Sequence, residues 1–165
     1  MRPFFLFPLF LVGCFDKSDS GDNGDTWVRA TIDGQGYEGN SQGVVWYRSA
    51  TMLQLFPGDV LEGTVSGWAE GDTGSWDTAF DAEADAGTWL QYMPEGVTWV
   101  SASGTFTVDN WEAHTPENSY DPILGYITGT FEGSLTCYMG CDGAAATVEI
   151  TGGDYRSMVS DVEGD

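Results

Sequence analysis

The chain has 165 residues, with 26 acidic side chains against 5 Lys and Arg, one His, and a net charge of −21. A surface so one-signed repels phosphate backbones and anionic headgroups, which argues against nucleic-acid binding and against electrostatic docking on membranes. The acidity speaks first to solubility, and the ligand classes it leaves open are divalent cations and cationic partners.

The N-terminus carries Arg2, then a nearly unbroken apolar run from Phe4 to Val12, then Gly13. Charge, greasy core and small residue come in the order of a secretory signal. The run is shorter than the roughly 20 apolar residues that a bilayer-spanning helix needs. Leu11-Val12-Gly13-Cys14 closes it and resembles the bacterial lipobox. That resemblance implies cleavage after Gly13, a diacylglyceryl group on the Cys14 thiol and acylation of the freed amine. Each buried methylene contributes about 0.8 kcal/mol, so one chain anchors marginally and several anchor stably. Loss of residues 1–13 removes Arg2 and takes the net charge from −21 to −22. Phe15, rather than Asp, follows Cys14, and by analogy with the enterobacterial sorting rule this implies an outer-membrane home, facing the periplasm or the cell surface.

Residues 14–25 read as the lipidated Cys followed by an acidic tether, Asp16 to Asp25, with no apolar residue. Such a stretch buries too little surface to offset its ordering entropy. Asp16, Ser18, Ser20 and Gly21 fall at calcium-loop positions one, three, five and six, but Trp27 stands where the bidentate Glu of an EF-hand belongs. A calcium loop is therefore not expected there.

Residues 26–165, about 140 in all, suffice for one domain that buries roughly two-thirds of its unfolded surface. Val, Thr and aromatic residues recur in short runs between Gly and Asp clusters, so the fold class is all-β. Val28, Ala30 and Ile32 alternate with Trp27, Arg29 and Thr31, and Asp33-Gly34 then turns the chain. Val44–Tyr47 and Met52–Phe56 are the next short strands, the second ended by Pro57-Gly58-Asp59. Val60–Trp68 follows. Gly71–Gly87, rich in Asp and Glu, reads as a loop with Trp76 and Phe80 as plugs into the core and a helical turn around Ala82–Ala86.

Further on, Val100, Ala102, Gly104, Phe106 and Val108 fall on one face of a strand, and Ile127, Gly129, Phe131, Gly133 and Leu135 repeat the design. Between them Asn110–Pro122, with two Pro and the only His, reads as a connection outside the sheet. Ala144–Thr151 returns as the partner of the Phe131 strand, and Tyr155–Val159 is the last strand. Strands at this spacing imply an antiparallel β-sandwich or barrel, and both remain open.

Gly125-Tyr126-Ile127-Thr128-Gly129-Thr130-Phe131-Glu132-Gly133 and Val148-Glu149-Ile150-Thr151-Gly152-Gly153-Asp154-Tyr155-Arg156 resemble the ending of small secreted bacterial lipoproteins of unknown function, whose final strands read close to I-x-G-x-F and I-T-x-G-x-F. Ala30-Thr31-Ile32-Asp33-Gly34 is similar to their first strand. The resemblance implies the fold, and no activity, cofactor or catalytic residue comes with it. Tyr155 stands where Phe is more usual.

With Cys14 lipidated, Cys137 and Cys141 remain as a pair in an oxidising setting, and a disulfide is expected. In an unbulged hairpin with the two Cys directly opposed, Val148 and Ile150 would face the wrong way. The bridge is therefore expected to close a loop tip, or a bulge near Gly140 or Gly143 to restore the face. The spacing is not C-x-x-C and no third ligand lies near, so neither a redox pair nor a metal site is expected.

His114 sits in a polar loop without an evident triad, and among 26 acidic residues no carboxylate pair stands out as acid and base. The chain is read as a non-enzyme without a cofactor: a binding or structural module, with a carboxylate-dependent hydrolase as the remote alternative. Seven Trp and seven Tyr are the remaining lead. Trp27 and Trp99 alternate away from the apolar face of their strands, so they are the candidates for stacking on a glycan; Trp46, Trp68 and Trp89 fit either a core or a ligand role. A protein or glycan partner stays open and unidentified, alongside the membrane reached through Cys14.

Overall fold

In the computed structural model, residues 26–41, 43–47, 52–55, 60–82, 87–115 and 121–161 are described. The signal segment 1–13, Cys14, the tether to Asp25, the Pro57-Gly58-Asp59 stop and most of the turn expected at Ala82–Ala86 lie outside them.

Among the described residues the strands are β1 (Trp27–Ile32), β2 (Gln35–Gly39), β3 (Val44–Tyr47), β4 (Met52–Leu55), β5 (Leu61–Ser66), β6 (Gly74–Asp77), β7 (Trp89–Tyr92), β8 (Thr98–Val108), β9 (Asn110–Ala113), β10 (Ile123–Met139) and β11 (Thr147–Asp161). One helical turn, Pro94–Gly96, accompanies them, and no helix is long and apolar enough to cross a membrane. The strands form one sheet in the order β2-β1-β11-β3-β4-β5-β7-β8-β10-β9, with β6 added to β8. Because β10 also pairs with β11, the ladder that leaves β11 through β3 returns to it through β10, and the sheet curls round its own core. Pairing is antiparallel except for the short β3–β11 contact. The fold is all-β, as expected.

Two long strands make the curl possible. Strand β10 runs 17 residues and β11 runs 15, so each changes neighbours along its length. Val148 and Ile150 point inward, then Gly153, Tyr155, Ser157 and Val159 do, so the buried parity switches from even to odd. A bulge causes the switch: Phe131 pairs with Gly153 but Gly133 with Ile150, which leaves Thr151 and Gly152 opposite Glu132 alone. Gly152 adopts φ 58°, a conformation that strains any residue with a Cβ. The apparent gap between Ala144–Thr151 and Tyr155–Val159 is thus one continuous strand. At the other end of the sheet, Asp33 (φ 48°) and Gly34 (φ 78°) form the two-residue turn between β1 and β2.

The core is dense with aromatics. Trp46 and Trp68 meet edge to face at 5.4 Å, Trp68 and Trp111 lie 5.9 Å apart, and Phe106 stacks on Tyr155 at 5.2 Å. Trp46 and Trp68 are therefore core residues. Buried Ser41 and Ser157 satisfy each other by a hydroxyl–hydroxyl hydrogen bond.

Several sequence expectations are corrected here. The Gly71–Gly87 loop contains β6, and the Asn110–Pro122 connection contains β9. Both pair at the margins of the sheet, β6 on β8 and β9 on β10, and bury little beyond Trp76 and Trp111, so neither shows an alternating apolar pattern. Strands β2 and β7 were likewise not legible. Trp99 points into the core rather than away from it. Leu135 pairs with Ser101 while Ser134 pairs with Ser103, so a bulge at Ala102 reverses the alternation and turns Trp99 and Ser101 inward.

Candidate functional site

The β10–β11 hairpin ends in the large hydrophobic side chains that are exposed among the described residues. Cys137 and Cys141 form a disulfide that closes the loop tip, one of the two arrangements the apolar register permits. The Cys137 amide donates to the Ala146 carbonyl, so Val148 and Ile150 keep their inward face. Between the two Cys, Tyr138 is 44% exposed and Met139 58% exposed. The β10–β8 ladder slips between Cys137 and Met139, leaving Tyr138 as an extra residue aimed outward. The Phe80 ring meets that of Tyr138 at 5.2 Å and that of Trp89 at 5.9 Å, so three rings form a row across the outer surface. Buried Val100 stands apart from the continuous core, and its pairing with Gln91 and Thr136 puts it on this same outer side.

The loop at Pro94–Gly96 braces the tip. A Cβ on Gly140 would lie 2.7 Å from the Gly96 carbonyl, so the two backbones touch. Glu95 and Asp142 are exposed beside it. Tyr92, nearby on β7, packs against the core on Trp99 and has its hydroxyl pKa raised by burial first and then by the carboxylates of Asp33 and Glu95.

A second outer region lies on β1, β10 and β11. Trp27 pairs across the sheet with Arg156, and Arg156 with Thr128. Arg29 stacks over the half-buried Trp27 ring at 4.8 Å, and Arg156 stacks over Tyr126 at the same distance. Glu38 pairs with Arg29 at 3.4 Å and Glu112 with Arg156 at 3.1 Å. His114 bonds Asp121 at 2.8 Å and meets the Tyr126 ring edge-on. The described basic residues are thus collected on one face, layered with aromatics and already balanced by carboxylates. Beside them an open groove of about 480 Å³ is lined by Thr105, Thr107, Thr130, Glu132 and Asp154.

Of the residues singled out in the sequence, Cys137 and Cys141 come together, Trp27 stays on the outer face beneath Arg29, and Trp99 is buried at 7% exposure with its indole N–H donating to the Ala145 carbonyl. Trp99 offers no face to a ligand. Among the described residues no group of three or more His, Cys, Asp or Glu side chains could hold a metal ion. Sequence reasoning missed Phe80, Trp89, Tyr138 and Met139 as one surface. A signal was present in Tyr138-Met139, two large apolar residues flanked by Cys137 and by Gly140-Cys141 where a tip is normally polar. Neither a protein family, a curated protein nor a solved structure matches the chain.

Proposed function

We propose that this chain is a lipid-anchored bacterial lipoprotein of the outer membrane whose β domain is a non-enzymatic binding module. The observation that carries the reading is the order Leu11-Val12-Gly13-Cys14, acidic tether, Trp27 at the start of β1. Twelve residues from Cys14 to Thr26 reach at most about 40 Å, enough to hold the domain clear of the headgroups. Trp27 lies opposite Arg156 and Thr128, so the tether joins the sheet about 35 Å of strand from Met139. The disulfide tip lies at the opposite end of β10 from that junction. The large rings of Trp46, Trp68, Phe106, Phe131 and Tyr155 fill the interior, which favours ligand capture on the outer surface rather than inside the curled sheet.

The test is metabolic labelling with an alkyne-tagged fatty acid followed by membrane fractionation. The wild-type chain takes the label and sediments with outer membranes, whereas Cys14→Ala takes none and is released after washing. Label retained by Cys14→Ala, or absent from the wild type, overturns the reading.

A glycan-binding reading has one specific support, the groove lined by Thr107, Thr130, Glu132 and Asp154, with Asp154 the cross-strand neighbour of Arg29 in the β1–β11 ladder beside Trp27. Its measurement is tryptophan fluorescence quenching by a soluble neutral glucan. A saturable response lost in Trp27→Ala supports it, and a flat titration removes it.

A further inference from the structure

We propose that the Cys137–Cys141 tip is a docking surface for a protein partner that presents Arg or Lys, gripped by the Trp89–Phe80–Tyr138 row and Met139 and drawn in by the carboxylates of Glu95 and Asp142. The inference rests on reading the domain as a binding module, not on the lipid anchor.

Three observations carry it. The first is that the tip is built rather than loose. A bulge throws Tyr138 outward, the disulfide closes the loop directly behind it, and the Gly140 backbone rests on Gly96. A surface ordered in advance loses less entropy on binding. Tyr138 and Met139 are also the large apolar side chains that the described residues leave exposed.

Ring geometry is the second. Phe80 meets Trp89 at an interplanar angle of 80° and Tyr138 at 68°, so the row descends in edge-to-face steps. A sugar ring needs a flat platform on which to lie, and stepped rings do not supply one. Side chains of a polypeptide fit between such steps, and the flexible thioether of Met139 adapts to them.

Charge is the third. Glu95 and Asp142 are exposed at the tip, while the described cations, Arg29 and Arg156, lie about 30 Å of strand away or more, near Thr130 and Thr128. An exposed tyrosine ring with carboxylates on the same loops selects cations, guanidinium above ammonium because its plane stacks on a ring. A phosphate-bearing lipid surface would be repelled by the same carboxylates.

The experiment titrates the full lipidated chain, in a neutral detergent, with a nonapeptide of alternating Arg and Gly, read by tryptophan fluorescence and calorimetry. Saturable binding is expected, several-fold weaker for the Lys counterpart. The double variant Tyr138→Ser, Met139→Ser should weaken it at least about 10-fold with an unchanged circular dichroism spectrum. Glu95→Gln with Asp142→Asn should weaken it and flatten its salt dependence, and Trp27→Ala should leave it unchanged. Equal affinity in the Tyr138→Ser, Met139→Ser variant would show that bulk negative charge alone binds the peptide, and overturns the proposal. So does an absence of binding, or a neutral glucan that competes at the tip and identifies it as a glycan site. Fatty-acid labelling of the same preparation reports on the anchor independently, so failure of the tip and failure of the lipoprotein reading are told apart.

Discussion

Replacing Tyr155 by Phe removes a single oxygen from the most crowded part of the core. The Tyr155 ring is fully buried between Phe106 at 5.2 Å and Phe131 at 6.3 Å, and its hydroxyl donates to the Thr107 carbonyl at 2.8 Å. That hydroxyl stands where the β8–β10 ladder stops at the Phe106–Phe131 pair, so it supplies a donor that the sheet no longer provides. The ring contacts survive in Tyr155→Phe and only the hydrogen bond is lost. A neutral hydrogen bond contributes about 1 kcal/mol, and a carbonyl left without its donor adds part of a desolvation penalty, for a loss of about 1–2 kcal/mol. With an unfolding entropy of about 2.1 cal/mol/K per residue over about 140 residues, the Tm should fall by about 3–7 °C at pH 7. The pH dependence gives a second arm. Burial pushes the Tyr155 phenol well above its usual value near 10, and the carboxylate of Asp109 pushes the same way. A raised folded pKa means stability that is full below pH 10 and is lost as pH climbs from there toward the folded value. Tyr155→Phe has no such loss at this site, so the gap between the two proteins should narrow above pH 10. Thermal denaturation followed by circular dichroism at pH 7 and across the alkaline range measures both. An unchanged Tm at pH 7, or a gap that stays constant above pH 10, would falsify the reasoning.

Gly129→Ala should be far more damaging, because its Cβ would collide with the Thr107 carbonyl oxygen and lie 2.7 Å from the Tyr155 hydroxyl. The backbone must move apart, at a cost of about 3 kcal/mol or more, and a urea midpoint equal to wild type would contradict that close approach. Glu62→Gln should stabilise the domain at neutral pH, since burial raises the Glu62 carboxyl above 4.5 and its ionised form is the disfavoured one. The advantage should fade as pH falls through the folded value and be gone below about 4.5; a constant advantage at pH 4 and pH 7 would show that charge is not its cause. Cys137→Ser with Cys141→Ser opens a loop of sequence separation 4, which should cost about 2 kcal/mol while leaving the β-sheet spectrum intact. Outright loss of the fold would mean that the tip does more than hold its own loop.

The strands written with strict alternation were legible because each buries one face against a continuous core. Val28, Ala30 and Ile32 in β1, and Ile127 through Leu135 in β10, needed nothing beyond a period of two. The disulfide followed from cysteine count, and the register that Val148 and Ile150 demand left a loop tip or a bulge near Gly140 or Gly143 open, of which the structure has the loop tip. Strands β6 and β9 left no such trace, since at the margins of the sheet their partners are chosen by backbone hydrogen bonds rather than by side-chain burial. Bulges decided the rest. One at Ala102 turned Trp99 inward, one at Gly152 joined two apparent strands into β11, and one at Tyr138 aimed a ring at solvent beside Phe80 and Trp89. Composition and period of two determined an acidic chain with an all-β fold; only the tertiary structure decided which aromatics face water, because one inserted residue reverses every side chain beyond it and its cost is settled by the strands on either side.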